Sequence, residues 1–124
     1  MNAPRSVLVV DDEAEFLATY RRLLGRDGFR VVTAASRAGA LRALADEPFA
    51  LVVADLQLGD GDGLDVVRHA RATTPPTPVI VVSGRASNEA RQAARAAGAA
   101  VFFAKPFPAV ALAARVLDLA APRC

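Results

Sequence analysis

Short apolar runs alternate with amphipathic stretches along the whole chain. Val7-Leu8-Val9-Val10, Leu51-Val52-Val53-Ala54, Val79-Ile80-Val81-Val82 and Ala100-Val101-Phe102-Phe103 lack the polar alternation of a half-exposed strand. Runs this short and this apolar predict strands buried on both faces of a parallel sheet. Residues 29–34, rich in β-branched side chains, predict a fifth. Between the strands lie helical patterns. Residues 14–26 place Phe16, Leu17, Tyr20, Leu23 and Leu24 on one face, with Gly25 and Gly28 to close the helix. Ser36 is a cap for a helix to Asp46 with Leu41 and Leu44 inward, and Pro48 lies beyond its end. The third strand is expected to run to Asp55. A glycine-rich loop, residues 56–63, leads to a helix through Val66, Val67 and Ala70. The three prolines in residues 73–78 then force a connection. Ser87 caps a helix through Ala97 that Gly98 ends, and residues 109–120 form the last one. Five βα units predict an α/β fold: a five-stranded parallel sheet with helices on both faces, because parallel crossovers are right-handed. The helix after Ser87 offers only Ala90, Ala93, Ala94 and Ala97 to the core. Alanines bury little area, so this helix is the expected movable element.

Composition narrows the class. The 124 residues fit one domain, and 53% hydrophobic with 23% charged residues is a globular balance. No apolar stretch approaches the roughly 20 residues that span a bilayer, and an acidic pair follows the first apolar run, unlike a secretory leader. A cytoplasmic location is the expectation. Cys124, the single cysteine, allows no internal disulfide and reads as an exposed terminal thiol. The isoelectric point of 9.3 accompanies a net charge of only +2, and the arginines are scattered over several helices. Without a basic stripe carrying interleaved aromatics, no direct nucleic-acid binding is expected.

Chemistry gathers at the strand ends. Asp11 and Asp12 end the first strand and Asp55 ends the third. Ligands of open parallel sheets bind at the carboxyl ends of strands. Three like charges at one such edge need a cation or shared protons to relieve them. Ser83 ends the fourth strand, and Lys105, the only lysine among fifteen Lys and Arg residues, follows the fifth. A lone lysine in an arginine-biased chain suggests a need for a compact ammonium. As plain structural residues, Asp11 and Asp12 would be helix N-terminal charges, Ser83 a turn hydroxyl and Phe102 core. Helix-end charges do not account for Asp55.

These residues, in this order on five alternating units, resemble the receiver domain of two-component response regulators. The resemblance rests on Asp11-Asp12, on Asp55 with its loop through Gly63, and on Ser83-Gly84, Gly98-Ala99 and Lys105-Pro106-Phe107. It covers nearly all of the chain, as one receiver unit over residues 5–121, and implies the flavodoxin-like order 2-1-3-4-5. By that resemblance, Asp55 takes a phosphoryl group from a phosphohistidine on a sensor histidine kinase or phosphotransfer protein. Asp12, Asp11, Asp55 and the backbone carbonyl of Gln57 hold Mg²⁺, and Lys105 holds a phosphoryl oxygen. Ser83 is the switch hydroxyl and Phe102 the switch aromatic. Gln57 and Arg85 are the positions that tune dephosphorylation. The changed surface is the fourth helix, fifth strand and fifth helix, which meets a downstream effector or a second copy in a phosphorylation-dependent homodimer. No membrane partner is implied, the chain is no enzyme beyond its own phosphorylation and dephosphorylation, and Lys105-Pro106 matches a position where the family often has a cis bond.

Three departures bear on this reading. Gly59 stands where the family usually has proline, so the loop should be looser. Ser83 replaces the commoner threonine, and Phe102 the commoner tyrosine, with the loss of an O–H. Rival functions fare worse. A haloacid-dehalogenase-like phosphatase needs an aspartate two residues after its nucleophile, where Gln57 stands. A flavin mononucleotide site would set phosphate against Asp11-Asp12-Glu13. A receiver-like scaffold that is never phosphorylated has no need of five intact site residues. Asp60 and Asp62 hint at calcium, but Leu64 occupies the next ligand position. His69 lies between Arg68 and Arg71 and reads as surface.

Overall fold

The alternating runs fold as three layers, helices on each face of one sheet. The computed structural model describes residues 5–120; Cys124 and the last residue of the expected unit lie outside them. In chain order the elements are β1 (Ser6–Val10), α1 (Ala14–Gly25), β2 (Arg30–Ala34), α2 (Arg37–Asp46), β3 (Leu51–Ala54), β4 (Gln57–Leu58), β5 (Gly61–Asp62), α3 (Gly63–Arg71), β6 (Val79–Ser83), α4 (Asn88–Ala97), β7 (Val101–Ala104) and α5 (Ala109–Leu119). The sheet order is β2-β1-β3-β6-β7, all parallel. β4 and β5 form a separate two-residue antiparallel ribbon. The sheet's own strands therefore follow the expected 2-1-3-4-5 order.

Alternation along the strands divides the core in two. Leu8, Val10, Val52, Val79 and Val81 face α2, α3 and α4, where Ala40, Val66, Val67, Ala70 and Ala94 meet them. Val7, Val9, Leu51, Val53, Ile80 and Val82 face α1 and α5, against Tyr20, Leu24, Leu112 and Val116. The central strands have no solvent face, which explains their unbroken apolar sequence.

Register places the strand ends together. Val10 pairs with Ala54, so Asp11 and Asp55 emerge side by side; the Asp55 N–H donates to the Val10 carbonyl at 3.0 Å. On the other flank Ser83 pairs with Ala104, and the Lys105 N–H donates to the Ser83 carbonyl at 2.9 Å. Gly63 opens α3 hard against this edge. A Cβ there would stand 2.0 Å from the Asp55 carbonyl oxygen, so only glycine lets the helix start so close. Gly98 ends α4 at φ +113°, the left-handed conformation expected of it.

Three local expectations need correction. β3 stops at Ala54, one residue before Asp55. The loop after Asp55 contains the β4–β5 ribbon, because Gln57 pairs with Asp62 and Leu58 with Gly61. Within that loop the Asp60 carboxylate accepts the N–H groups of Arg37 and Ala38 at 2.7 and 3.0 Å. In α2 the fully buried residue is Ala40, with Ala43 and Leu44 packed beside it. Leu41 is only half-buried, one position off that face.

Candidate functional site

Four carboxylates meet at the sheet edge. Asp11, Asp12, Glu13 and Asp55 each present an oxygen, and these oxygens all lie within 4.8 Å of one another. Asp11 and Asp55 are buried, while Asp12 and Glu13 are exposed. The Asp11 Oδ1 accepts the Glu13 N–H at 2.9 Å, and the Asp55 Oδ1 accepts the Gln57 N–H at 3.1 Å. Each buried carboxylate is thus turned by a backbone donor two residues on. α1 takes no side-chain cap at Glu13, the residue before its first turn.

Lys105 closes the cluster. Its Nζ lies 2.7 Å from Asp11 Oδ2, 2.8 Å from Asp55 Oδ2 and 3.2 Å from Glu13 Oε1. The first contact is an ion pair without hydrogen-bond geometry. Asp11 Oδ2 is left as the one buried side-chain polar atom, among the described residues, without a hydrogen bond. Burial raises the Asp11 pKa above its ordinary value against the pull of Lys105 and the Glu13 N–H, and the Asp55 charge adds to the rise. For Lys105, burial favours the neutral amine, but the paired carboxylates of Asp11 and Asp55 together outweigh it and hold the ammonium above its usual range. Burial, helped by the charges of Asp11 and Asp55, likewise raises the Tyr20 phenol.

An aromatic group lies beneath the lysine. Nζ stands 4.0 Å from the centroid of the Phe16 ring. Phe107 lies 6.1 Å from Phe16 and stacks on Tyr20 at 5.1 Å. Lys105 and Phe107, on either side of Pro106, therefore both dock on the Phe16–Tyr20 face of α1. The Lys105–Pro106 bond is cis, as the resemblance implied, and Thr74–Pro75 is also cis.

Ser83 is fully buried at the end of β6, and its Oγ accepts the Arg85 N–H at 3.1 Å. Phe102 pairs with Val81 while Ser83 pairs with Ala104, so alternation puts Ser83 and Phe102 on the same sheet face. Phe102 packs partly buried against the α2–α4 core. The Arg91 guanidinium covers its ring at 4.7 Å, and Arg91 Nε donates to the Ala86 carbonyl at 3.4 Å. Arg91 thereby joins the loop after Ser83 to the ring of Phe102.

The Arg85 side chain and Gln57 are exposed. Asp62 caps α3 by accepting the Leu64 N–H at 2.9 Å. With Asp60 holding α2, the calcium hint resolves into two helix starts. His69 is exposed, as read. Sequence reasoning missed Glu13, Phe16 and Arg91. Glu13 was legible, since it adjoins the acid pair. Phe16 and Arg91 meet their partners only across the fold. A concavity of about 690 Å³ around Pro48, Phe49 and Pro75 includes none of the four clustered carboxylates.

The sheet edge thus combines a buried carboxylate, a lysine on it and a strand end that carries a hydroxyl. The family described as the response regulator receiver domain matches residues 7–117. The chain belongs to the response regulator receiver domain family. It is 40% identical over 119 residues to the transcriptional regulatory protein PrrA of Mycobacterium tuberculosis, covering 96% of this chain and 51% of that protein. With KdpE of the same species it shares 43% over 101 residues, 82% of this chain and 44% of the relative. The receiver domain thus spans about half the length of these curated relatives. A CheY-like receiver domain protein from Methanospirillum hungatei superposes with a TM-score of 0.89 at 27% identity, covering 94% of each chain. Receiver domains are phosphoacceptor switches of two-component signalling, and this one has their fold throughout. Among the described residues no helix is long and apolar enough to cross a membrane.

Proposed function

We propose that Asp55 is the phosphoacceptor and that residues 5–121 act as one cytoplasmic receiver unit. The observation that carries this is the Asp55 carboxylate itself, buried at a strand end with one oxygen on the Gln57 N–H and the other on Lys105. Held this way, an Asp55 oxygen attacks phosphorus, the bond from phosphorus to the donor nitrogen breaks, and an acyl phosphate forms. Lys105 moves with the transferring charge from the carboxylates to a phosphoryl oxygen. The protein needs no general acid, because the work is positioning and charge neutralisation.

The donor set suits Mg²⁺, a hard cation that takes oxygen ligands and keeps several waters. Asp12, Asp11, Asp55 and the Gln57 carbonyl would hold it, and Glu13 lies within reach of the same cluster. When bound, the ion neutralises charge on the phosphoryl group. Ser83 then turns its hydroxyl toward the new dianion, drawing the loop through Arg85, while Phe102 shifts on β7. Gln57 and Arg85 tune how fast water removes the group. The partners on this reading are a sensor histidine kinase or phosphotransfer protein upstream, and an effector or a second copy that binds the α4–β7–α5 face.

Incubation with acetyl phosphate and Mg²⁺ tests the assignment. Intact mass spectrometry should show one added phosphoryl group on the wild-type chain and none on Asp55→Asn. Equal labelling of the two proteins would overturn it.

A further inference from the structure

The lysine of this site has an aromatic floor. An ammonium on a four-carbon stem has many rotamers, and three carboxylates attract it without fixing its direction. Phe16 limits the choice, since its ring face lies 4.0 Å from Nζ. The ring is itself backed by Phe107, which follows Lys105 in the chain and stacks on Tyr20. Phe16 and Tyr20 are one helical turn apart on α1, so a single rigid face receives both Lys105 and Phe107.

We infer that Phe16 is a positioning residue for phosphoryl transfer: its π face holds the Lys105 ammonium over Asp55. The proposal rests on the reading of Asp55 as phosphoacceptor and adds a residue that touches none of the reacting atoms. The ring quadrupole attracts a cation along the ring normal, which a branched aliphatic side chain of similar bulk does not do. Phe16→Leu therefore keeps the packing and loses the direction, whereas Phe16→Tyr keeps both.

The chain provides its own probe, because Lys105 is the only lysine. Labelling lysine with ¹³C at Cε gives a single side-chain resonance, and protons above a ring face are shifted upfield. In metal-free protein the Lys105 ε-proton signal should be upfield in wild type and in Phe16→Tyr, and should return toward the free-lysine position in Phe16→Leu. With acetyl phosphate and Mg²⁺, Phe16→Leu should be phosphorylated about two- to fivefold more slowly, Phe16→Tyr at the wild-type rate. In a Lys105→Met background, Phe16→Leu should have no further effect, since the two residues act through one contact. An unmoved lysine signal in Phe16→Leu, or an equal slowing with and without Lys105, would overturn the proposal. Absence of labelling on wild-type Asp55 would instead sink the phosphoacceptor reading, and the resonance test of the ring contact would still stand.

Discussion

α1 and α4 lie on opposite faces of one sheet, near the same acidic edge, and are held by different means. α1 buries Tyr20 and Leu24 completely and places Phe16 under Lys105. α4 buries only Ala94, and it meets β7 through a cation over a ring, Arg91 on Phe102. A fully buried leucine contributes about 1.5–3 kcal/mol, and an exposed-edge cation–π contact about 0.5–1 kcal/mol. The site is thus anchored on one side and loosely held on the other. A switch needs this asymmetry, because moving elements come from the low-stability end of a structure.

The comparison can be broken at several points. Leu24→Ala should cost about 2–5 kcal/mol in urea unfolding, the range for a buried leucine; a loss under about 1 kcal/mol would mean that α1 is no anchor. Ala94→Gly should cost about 1 kcal/mol, mostly from helix propensity, and a loss matching Leu24→Ala would erase the contrast. In native-state hydrogen exchange, α4 amides should open at lower free energy than the central amides of α1, and equal protection would count against a movable α4. The smallest effect concerns the loop. Asp60 has its pKa lowered by the N–H groups of Ala38 and Arg37. A lowered acid pKa stabilises the fold above the ordinary value of 3.8 and loses that contribution as pH falls through the folded value. Asp60→Ala should therefore be slightly less stable than wild type at neutral pH, with the gap closing in acid. A gap that persists there would deny the carboxylate its role as cap.

How much of this was legible before folding depends on range along the chain. Strand runs such as Val79–Val82 carry their buried environment in their own composition, and Gly98 states the helix end it makes. The meeting of Asp11, Asp12, Asp55 and Lys105 was legible because each lies just past a strand end, and strand ends of a parallel sheet converge. The hold of Asp60 on α2 was not legible because its partner, the first turn of that helix, is more than twenty residues away. Phe16 and Arg91 belong to helices whose faces the periodicity described correctly, but periodicity does not say which cation rests on which ring.

The account makes Asp55 the source of a change that travels through Ser83 toward α4 and Phe102 while α1 stays in place. Amide NMR spectra recorded during titration with Mg²⁺ and beryllofluoride, which stands in for the phosphoryl group on a carboxylate, test this most directly. Saturable shifts should concentrate at Asp55, the loop from Ser83 to Ala86, α4 and Phe102, leave the buried half of α1 nearly unmoved, and vanish in Asp55→Asn. Shifts centred on α1, or unchanged in Asp55→Asn, would contradict it.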